Sequence, residues 1–264
     1  MSIHATSLTV RPVRALADNY IWLIESPTLS SQVVVVDPGE AEPVIAELNR
    51  RKLKLAAILL THHHPDHIGG VPELLHLGAV PVIGPEDGRI STETRTVRDE
   101  ERAELPELGL GFKILTVPGH TVSHIAFWGH GALFCGDTLF SAGCGRMFEG
   151  NPEQMNASLN RLRELPPETQ IFCGHEYTAA NLRFALAVEP GNAAALEYQE
   201  RVNHIRAAGN PTLPSTLSLE IKVNPFLRCD NPSVRRAAES RAGKPLAQPF
   251  EVFAVLRAWK DQFR

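Results

Sequence analysis

The sequence has few cysteines, and no two of them form a C-x-x-C pair. We therefore expect its four cysteines to be reduced thiols in a cytoplasmic protein. The first ten residues also lack a charged region followed by a long apolar stretch, so we expect no signal peptide.

The chain also lacks long apolar runs and an excess of positive charge. Its longer apolar segments, such as 33–36 and 55–60, are far too short to span a bilayer. The formal net charge of −4 indicates neither a nucleic-acid partner nor a membrane partner. A local basic pocket would still allow an anionic substrate. Hydrophobic residues make up 43% of the chain, which is enough for a sizeable core.

The pattern of apolar residues changes at about residue 177. Before it, runs rich in aliphatic and β-branched residues predict strands, including 20–25, 32–36, 55–60, 113–117, 132–135 and 170–173. After it, proline and glycine punctuate four segments with helical patterns, at 178–188, 192–208, 232–242 and 249–263. We predict an α+β catalytic domain over residues 1–176 and a small helical domain over residues 177–264.

The strongest chemical signal is the segment Thr61-His62-His63-His64-Pro65-Asp66-His67, which follows the predicted strand 55–60. Alternate side chains of an extended segment share a face, so His62 and His64 should point together. The turn after Pro65 can bring Asp66 and His67 round. Nitrogen and oxygen donors at this density suit zinc, manganese or iron. A histidine-rich surface loop is the alternative, but the Asp-His pair disfavours it.

Three later segments repeat one pattern, in which a strand ends, small residues follow and a possible ligand stands next. Each alone predicts only a turn, but with the first cluster they give seven candidate ligands: His62, His64, Asp66, His67, His120, Asp137 and His175. Seven donors are too many for one tetrahedral zinc and suit two ions that share a carboxylate. A bridging hydroxide would then be the nucleophile, without a serine or cysteine.

Two further histidines lie close to these candidates in the sequence. His63 should point away from His62 and His64, so we expect it to be structural. His124 stands four residues after His120 and is a candidate to orient a ligand.

The string T-H-H-H-P-D-H resembles the T-H-x-H-x-D-H signature of the metallo-β-lactamase superfamily. The later segments P-G-H-T, G-D-T and G-H-E-Y resemble the remaining ligand motifs of that superfamily, in its usual order. The resemblance covers about residues 8–176 and implies a four-layer αβ/βα sandwich with a dinuclear site at one edge. Because this fold hosts many chemistries, it does not identify the substrate.

Five other segments resemble glyoxalase II, the hydroxyacylglutathione hydrolase family: D-N-Y at 18–20, A-G-C-G-R at 142–146, C-G-H-E-Y-T at 173–178, N-P-F-L-R at 224–228 and R-A-W-K-D-Q-F at 257–263. With them the resemblance spans nearly the whole chain. It implies a metal-dependent thioester hydrolase that cleaves S-D-lactoylglutathione to glutathione and D-lactate, the second step of methylglyoxal detoxification.

The same resemblance implies how the ligands divide between two ions. One ion would be held by His62, His64, His120 and Asp137, and the other by Asp66, His67, His175 and the shared Asp137. Zinc is the expected metal, with iron or manganese also compatible. Asp66 and Asp137 are the expected catalytic carboxylates, and Asp66 would orient the attacking hydroxide.

Four residues would hold the glutathione moiety by this resemblance: Arg146, Tyr177, Arg257 and Lys260. Arg257 and Lys260 stand three apart on a predicted helix and therefore share a face, which suits a carboxylate clamp. Two positions depart from the family pattern, with Arg146 where a lysine is common and Phe148 where a tyrosine is common. Because phenylalanine cannot donate a hydroxyl hydrogen bond, we expect weaker glutathione affinity.

Two alternatives remain open. The first is another enzyme of the superfamily, namely a lactonase, a persulfide dioxygenase, a nuclease or a β-lactamase. The acidic net charge disfavours a nuclease, and a lactonase would not need the Arg257 and Lys260 clamp. The second is a metal-stabilised binding protein without turnover. The preferred prediction is a monomeric enzyme whose partner is a glutathione thioester substrate.

Overall fold

The computed structural model describes residues 8–92 and 95–263. Residues 1–7, on which most of the signal-peptide prediction rests, lie outside the described range. The chain forms two compact units: a first unit of Met1–Thr116 and Ser123–Gly136, and a second unit of Val117–Val122 and Asp137–Arg264.

The main sheet of the first unit follows the chain order of its strands: β1 (Val10–Ala15), β2 (Asn19–Glu25), β3 (Gln32–Val36), β4 (Lys54–Leu59), β5 (Val82–Gly84) and β6 (Arg95–Thr96). Strands β1, β2 and β3 pair antiparallel, whereas β3 to β6 pair parallel. Helix α1 (Glu42–Arg51) makes the crossover between the parallel strands β3 and β4. This crossover brings the ends of these two strands together.

Strand β3 and the second half of β4 are buried on both faces, which explains their continuous apolar sequences. Val33, Val34 and Val35 of β3 are fully buried, as are Ala57, Ile58 and Leu59 of β4. One face of the sheet packs in a core cluster with apolar residues of the helices, including Val44 and Leu48 of α1. Leu55 and Ala56, near the start of β4, are only partly buried, so burial on both faces begins at Ala57.

Two short helices follow β4, namely α2 (Pro65–Ile68) and α3 (Val71–Leu74). The helical segment that begins at Val71 tightens at its end, where Leu75–Leu77 form a 3₁₀ helix that is followed by Gly78. Such tightening of a final turn is frequent at helix ends.

A second, antiparallel sheet of the first unit contains the strands β7 (Arg102–Leu105), β8 (Leu110–Thr116), β9 (Ile125–Gly129) and β10 (Ala132–Gly136). Each of these strands pairs with the next along the chain. A short 3₁₀ helix, Pro106–Leu108, joins β7 to β8. Strands β6 and β7 both lie in a polar and charged stretch of the chain.

The second unit is mainly helical, and its elements are β11 (Leu139–Phe140), β12 (Gly143–Cys144), α4 (Pro152–Arg163), β13 (Gln170–Cys173), α5 (Thr178–Val188), α6 (Ala193–Ala207), β14 (Ser215–Thr216), α7 (Leu217–Val223), a 3₁₀ helix at Pro225–Leu227, α8 (Pro232–Ala242) and α9 (Pro249–Gln262). Strands β11 and β12 form a small hairpin, and β13 pairs antiparallel with β14. The four helices predicted for this region are confirmed to within one residue at each end.

Helix α7 and strand β14 were not predicted. The inward side of α7 includes Leu217, Glu220 and Val223, all of them buried. A glutamate in that row interrupts the apolar spacing that identifies an amphipathic helix. The side chain of Glu220 is fully enclosed, and burial raises the pKa of its carboxyl group.

Apolar and aromatic side chains hold the helices of the second unit together. Phe226 stacks on Phe184 of α5 at 5.8 Å between ring centroids and meets Phe253 of α9 at 5.6 Å. Phe253 and Leu256 are fully buried, as an apolar stripe on the last helix requires. Over the described ranges, no helix is both long and apolar enough to cross a bilayer.

Helix α4 begins with a capping box, which gives a test of local stability. The Asn151 side chain accepts from the backbone N–H of Gln154 at 2.9 Å, and the Gln154 side chain accepts from the backbone N–H of Asn151 at 3.2 Å. We expect Asn151→Ala to lower the free energy of unfolding by about 1 kcal/mol, because donors at the helix start lose their acceptor. Urea unfolding measures this change. Asn151→Ser retains a side-chain oxygen and is the matched control; equal losses in both variants would contradict a capping role.

Candidate active site

The histidine cluster of the first unit lies directly after β4. His62 Nε2 is 3.1 Å from His64 Nδ1, so these alternate side chains meet as the extended segment predicted. Helix α2 begins at Pro65 and places Asp66 and His67 in one turn, with 3.6 Å between Asp66 Oδ2 and His67 Nε2. The structure thus brings together the predicted candidates of this loop in two pairs.

The carboxylate of Asp37, at the end of β3, lies beneath this loop. Its Oδ1 accepts from the Thr61 backbone N–H at 2.8 Å, and its Oδ2 accepts from Thr61 Oγ1 at 2.7 Å. The same Oδ2 lies 3.0 Å from His67 Nδ1. With Nδ1 engaged, the Nε2 atom of His67 is the ring nitrogen directed to a ligand role. In the sequence Asp37 follows a run of valines and precedes Pro38 and Gly39, a pattern typical of a turn, so no role in supporting a ligand was predicted for it.

Two other residues of the first unit hold Asp66. The side-chain amide of Asn19 donates to the backbone carbonyl of Asp66 at 3.2 Å and to its Oδ2 at 3.1 Å. Gly39 packs against the same backbone carbonyl, where an added Cβ would lie 2.0 Å from the oxygen. Only glycine permits this approach. The hydrogen bond from Asn19 and the close contact with Gly39 therefore together fix the backbone of the ligand loop.

His63 and His124 have the positions expected of supporting residues. His63 Nδ1 is 3.4 Å from Asp87 Oδ2, and Asp87 also accepts hydrogen bonds from Arg89 and Ser123. The Arg89 guanidinium holds the pKa of Asp87 well below its usual range. His124 is fully buried, and its ring stacks on that of His62 with 4.5 Å between centroids.

The second unit brings its own three candidate ligands together. Asp137 Oδ2 is 3.5 Å from His120 Nε2 and 3.3 Å from His175 Nε2, and all three residues are buried. His120 Nδ1 donates to the backbone carbonyl of Arg146 at 2.7 Å, which directs Nε2 toward the aspartate. The ring of His175 stacks in parallel on Tyr177, with 4.8 Å between centroids.

Gly119 explains how His120 reaches this position. Its φ of 154° lies at the edge of the range that favours glycine, and a Cβ there would lie 2.4 Å from the sulfur of Met155 in α4. A larger residue would therefore push the segment before His120 away from the helix.

The spacing of the donor atoms within each unit fits metal coordination. Two ligands about 2.1 Å from a tetrahedral ion lie about 3.4 Å apart. The donor pairs described above are separated by 3.1 to 3.6 Å. Imidazole nitrogens and carboxylate oxygens are ligands that zinc, iron and manganese accept. The residues present therefore suit metal binding.

A cavity of about 420 Å³ in the second unit adjoins these ligands. It brings all four predicted substrate-binding residues together with two predicted metal ligands, and its lining includes His120, Asp137, Arg146, Tyr177, Arg257 and Lys260. The remaining lining includes Phe140, Phe148, Asn181, Asp261 and Phe263.

Cationic side chains give this pocket a positive charge. Arg257 is only 5% exposed, and its Nη1 donates to the Cys144 backbone carbonyl at 2.9 Å. Lys260 Nζ donates to the carbonyl of Ala180 at 3.3 Å. Burial, together with the positive charge of Arg257, lowers the pKa of Lys260 to about 8.

Phe148 lies at the rim of this pocket. It is 64% exposed, and its ring meets the edge of the His120 ring at 5.3 Å between centroids. The rim is therefore apolar at the position where the sequence departs from the family pattern.

Several residues that line the pocket, including Phe140 and Asp261, were not predicted from the sequence to belong to the site. Phe140 packs edge-on against the rings of His175 and Tyr177, at 5.8 and 5.2 Å between centroids. Asp261 stands four residues after Arg257, which is the spacing of an ion pair on a helix. This spacing was the feature of the sequence that could have identified Asp261. No comparable pattern identifies Phe140 in advance.

Comparison with known proteins agrees with these features. Residues 17–175 match the Metallo-beta-lactamase superfamily, and residues 176–263 match the family described as Hydroxyacylglutathione hydrolase C-terminus. The hydroxyacylglutathione hydrolase of Idiomarina loihiensis is 51% identical over 96% of this chain and 99% of its own length. That of Pseudomonas aeruginosa is 53% identical over 94% and 97%. The solved structure of TTHA1623 in a di-iron-bound form is 26% identical, with a TM-score of 0.60 over 82% of this chain and 99% of that one.

The fold and the ligand pattern are those of the metallo-β-lactamase superfamily, with an α+β architecture and a C-terminal helical region. Within this superfamily the chain belongs to the hydroxyacylglutathione hydrolase family of metal-dependent hydrolases. The family, fold class and enzyme class predicted from the sequence are confirmed.

The position of Asp37 generates a prediction about metal retention. We expect Asp37→Asn to weaken metal affinity by about 10- to 100-fold, because the amide cannot accept from both Thr61 and His67 as the carboxylate does. Metal content after competition with a graded series of chelators measures this loss. Glu42→Gln, at an exposed position on α1, is the control. Unchanged retention in Asp37→Asn would show that the carboxylate does not orient the ligand.

Proposed function

We propose that this enzyme hydrolyses S-D-lactoylglutathione to glutathione and D-lactate, the second step of methylglyoxal detoxification. The observation that carries the proposal is the pocket of the second unit, where two candidate metal ligands and a cluster of cations line one cavity. Glutathione has two carboxylates, so a pocket with Arg146, Arg257 and Lys260 offers charge-assisted hydrogen bonds to it. The names of the relatives support the same substrate.

We infer that the predicted ligands hold two divalent ions, with zinc as the expected metal. The proposed set is His62, His64, Asp66, His67, His120, Asp137 and His175, and Asp137 is shared. Its support is the donor spacing within each unit and the di-iron form of the similar protein TTHA1623. When bound, such ions supply a Lewis acid for the thioester carbonyl and lower the pKa of a water nucleophile.

The chain itself would orient the reacting groups. In this proposal Asp66 accepts a hydrogen bond from the attacking water, and Asn19 fixes that carboxylate by donating to its Oδ2. Tyr177 presents its hydroxyl group to the substrate, since stacking on His175 and the edge contact with Phe140 hold its ring. The leaving thiolate is a good leaving group and needs little assistance from an acid.

Three further predictions accompany this proposal. In the proposed division of labour, residues 1–176 form the catalytic domain and residues 177–264 bind glutathione, because Tyr177, Arg257 and Lys260 of the helical part line the pocket. The four cysteines are buried free thiols, which supports a cytoplasmic location. The monomeric state stays a prediction.

The assay that tests the proposal uses purified protein of known metal content and S-D-lactoylglutathione. We expect rapid loss of thioester absorbance that a chelator abolishes and added zinc restores, because the nucleophile depends on bound metal. Lactones and β-lactams tested in parallel address the other enzymes of the superfamily. Absence of thioester turnover at two metal ions per chain would refute the substrate assignment.

The lowered pKa of Lys260 predicts a pH dependence of substrate capture. The ammonium form binds a carboxylate, so this interaction is complete well below pH 8, is half lost near pH 8 and disappears as pH rises further. We expect kcat/KM for the glutathione thioester to fall by about tenfold across this step, as one charge-assisted hydrogen bond disappears.

Lys260→Arg provides the control for this profile, because a guanidinium stays charged at these pH values. We expect the step near pH 8 to be absent in this variant after subtraction of spontaneous thioester hydrolysis. The same step in both proteins would assign it to another group.

A further inference from the structure

Asp261 links two of the cationic residues that line the pocket. Its Oδ1 accepts from Arg257 Nη2 at 2.9 Å and lies 3.4 Å from Arg146 Nε. All three side chains line the same cavity. Asp261 is the next residue after Lys260 on α9, but it is a carboxylate in a pocket otherwise suited to binding carboxylates.

Arg257 is held on two sides and retains donors for a ligand. Its Nη1 donates to the Cys144 carbonyl and its Nη2 to Asp261, so two of its five N–H groups have these partners. Among the described residues, no hydrogen-bond partner exists for its buried Nε. A guanidinium fixed between a carbonyl and a carboxylate keeps one plane, which favours paired hydrogen bonds to a substrate carboxylate.

Arg146 depends on Asp261 in a different way. Its side chain is 65% exposed, and a long exposed side chain populates many rotamers. Its backbone carbonyl is fixed by His120, so the ion pair with Asp261 restrains the remaining part of the residue over the pocket. Loss of the carboxylate would release this side chain into solvent.

Charge repulsion gives Asp261 a second effect. Burial is the main cause that lowers the pKa of Lys260, and the positive charges of Arg257 and Arg146 lower it further. A carboxylate between the two arginines offsets part of this repulsion and lets three cations occupy one pocket. The pocket then has positive charge to match the two carboxylates of the substrate.

We propose that Asp261 is a positioning residue that holds Arg257 and Arg146 for recognition of a carboxylate on the thiol half of the substrate. This inference rests on the proposed function and extends it to substrate selectivity. Asp261 touches no reacting atom in this scheme; it acts through the two arginines.

The test compares two thioesters with the same lactoyl group, one of glutathione and one of N-acetylcysteamine, which has no carboxylate. The ratio that matters is kcat/KM for the glutathione thioester divided by kcat/KM for the N-acetylcysteamine thioester. We expect Asp261→Ala to lower this ratio by about tenfold, through a higher KM for the glutathione thioester. Asp261→Asn retains an acceptor oxygen and should give an intermediate ratio.

A binding measurement makes the test independent of turnover. We expect the Kd of S-methylglutathione, measured by calorimetry with the metal-loaded enzyme, to rise about tenfold in Asp261→Ala. Asp230→Ala removes a carboxylate that pairs with Arg163 outside the pocket lining and serves as the control, with no change in either quantity.

Three results would overturn the inference. Equal losses for both thioesters would indicate a general structural effect, and unchanged kcat/KM values for both would show that the arginines need no support. Tighter binding in Asp261→Ala would show that Asp261 repels the substrate. Failure of the proposed function is a separate result, since the wild-type enzyme would then not prefer the glutathione thioester.

Discussion

The ligand loop of the first unit depends on one buried carboxylate. Parallel pairing places the ends of β3 and β4 side by side, and the backbone N–H of Asp37 donates to Leu59 at 3.0 Å. A buried charge is costly unless hydrogen bonds compensate it, and here Thr61 and His67 provide them. The same bonds that make burial of this carboxylate tolerable fix the start of the loop and the orientation of a ligand. The hydrogen bonds of Asp37 therefore serve both the stability of the fold and the geometry of the candidate ligand His67.

The second unit uses buried polar groups in the same way. Glu220 accepts from Ser141 Oγ at 2.8 Å and from the backbone N–H of Ala142 at 2.7 Å. Asn224 donates to the carbonyls of Phe140 and Gly143, at 3.2 and 2.9 Å. These bonds hold the hairpin whose two strands supply Phe140 and Cys144 to the pocket lining. Glu220 of α7 and Asn224 directly after it thus shape the pocket without lining it, which gives a physical role to the first residue of the N-P-F-L-R segment.

The sequence predicted the candidate ligands but not the buried polar residues that support them. Strand ends followed by small residues and histidines are visible in sequence, so the ligand candidates and most elements were predicted. Asp37, Glu220 and Asn224 were not assigned roles, because a polar residue in the sequence predicts exposure or a turn. Their partners are distant in sequence, such as Thr61 for Asp37, and only the fold brings them together. The spacing of residues in a sequence predicts contacts within one helix or strand, whereas the hydrogen bonds of these three residues join different elements.

The two departures from the family pattern change the balance of forces in the pocket. Phe148 contributes an exposed ring and no hydroxyl group, so in the proposed function the cations would provide most of the polar recognition of the substrate. Burial and neighbouring charge already lower the pKa of Lys260, which limits how much further positive charge the pocket can hold. In the proposed function an arginine at 146 suits this pocket, because its planar guanidinium can share the Asp261 carboxylate with Arg257 and still offer donors to a substrate carboxylate.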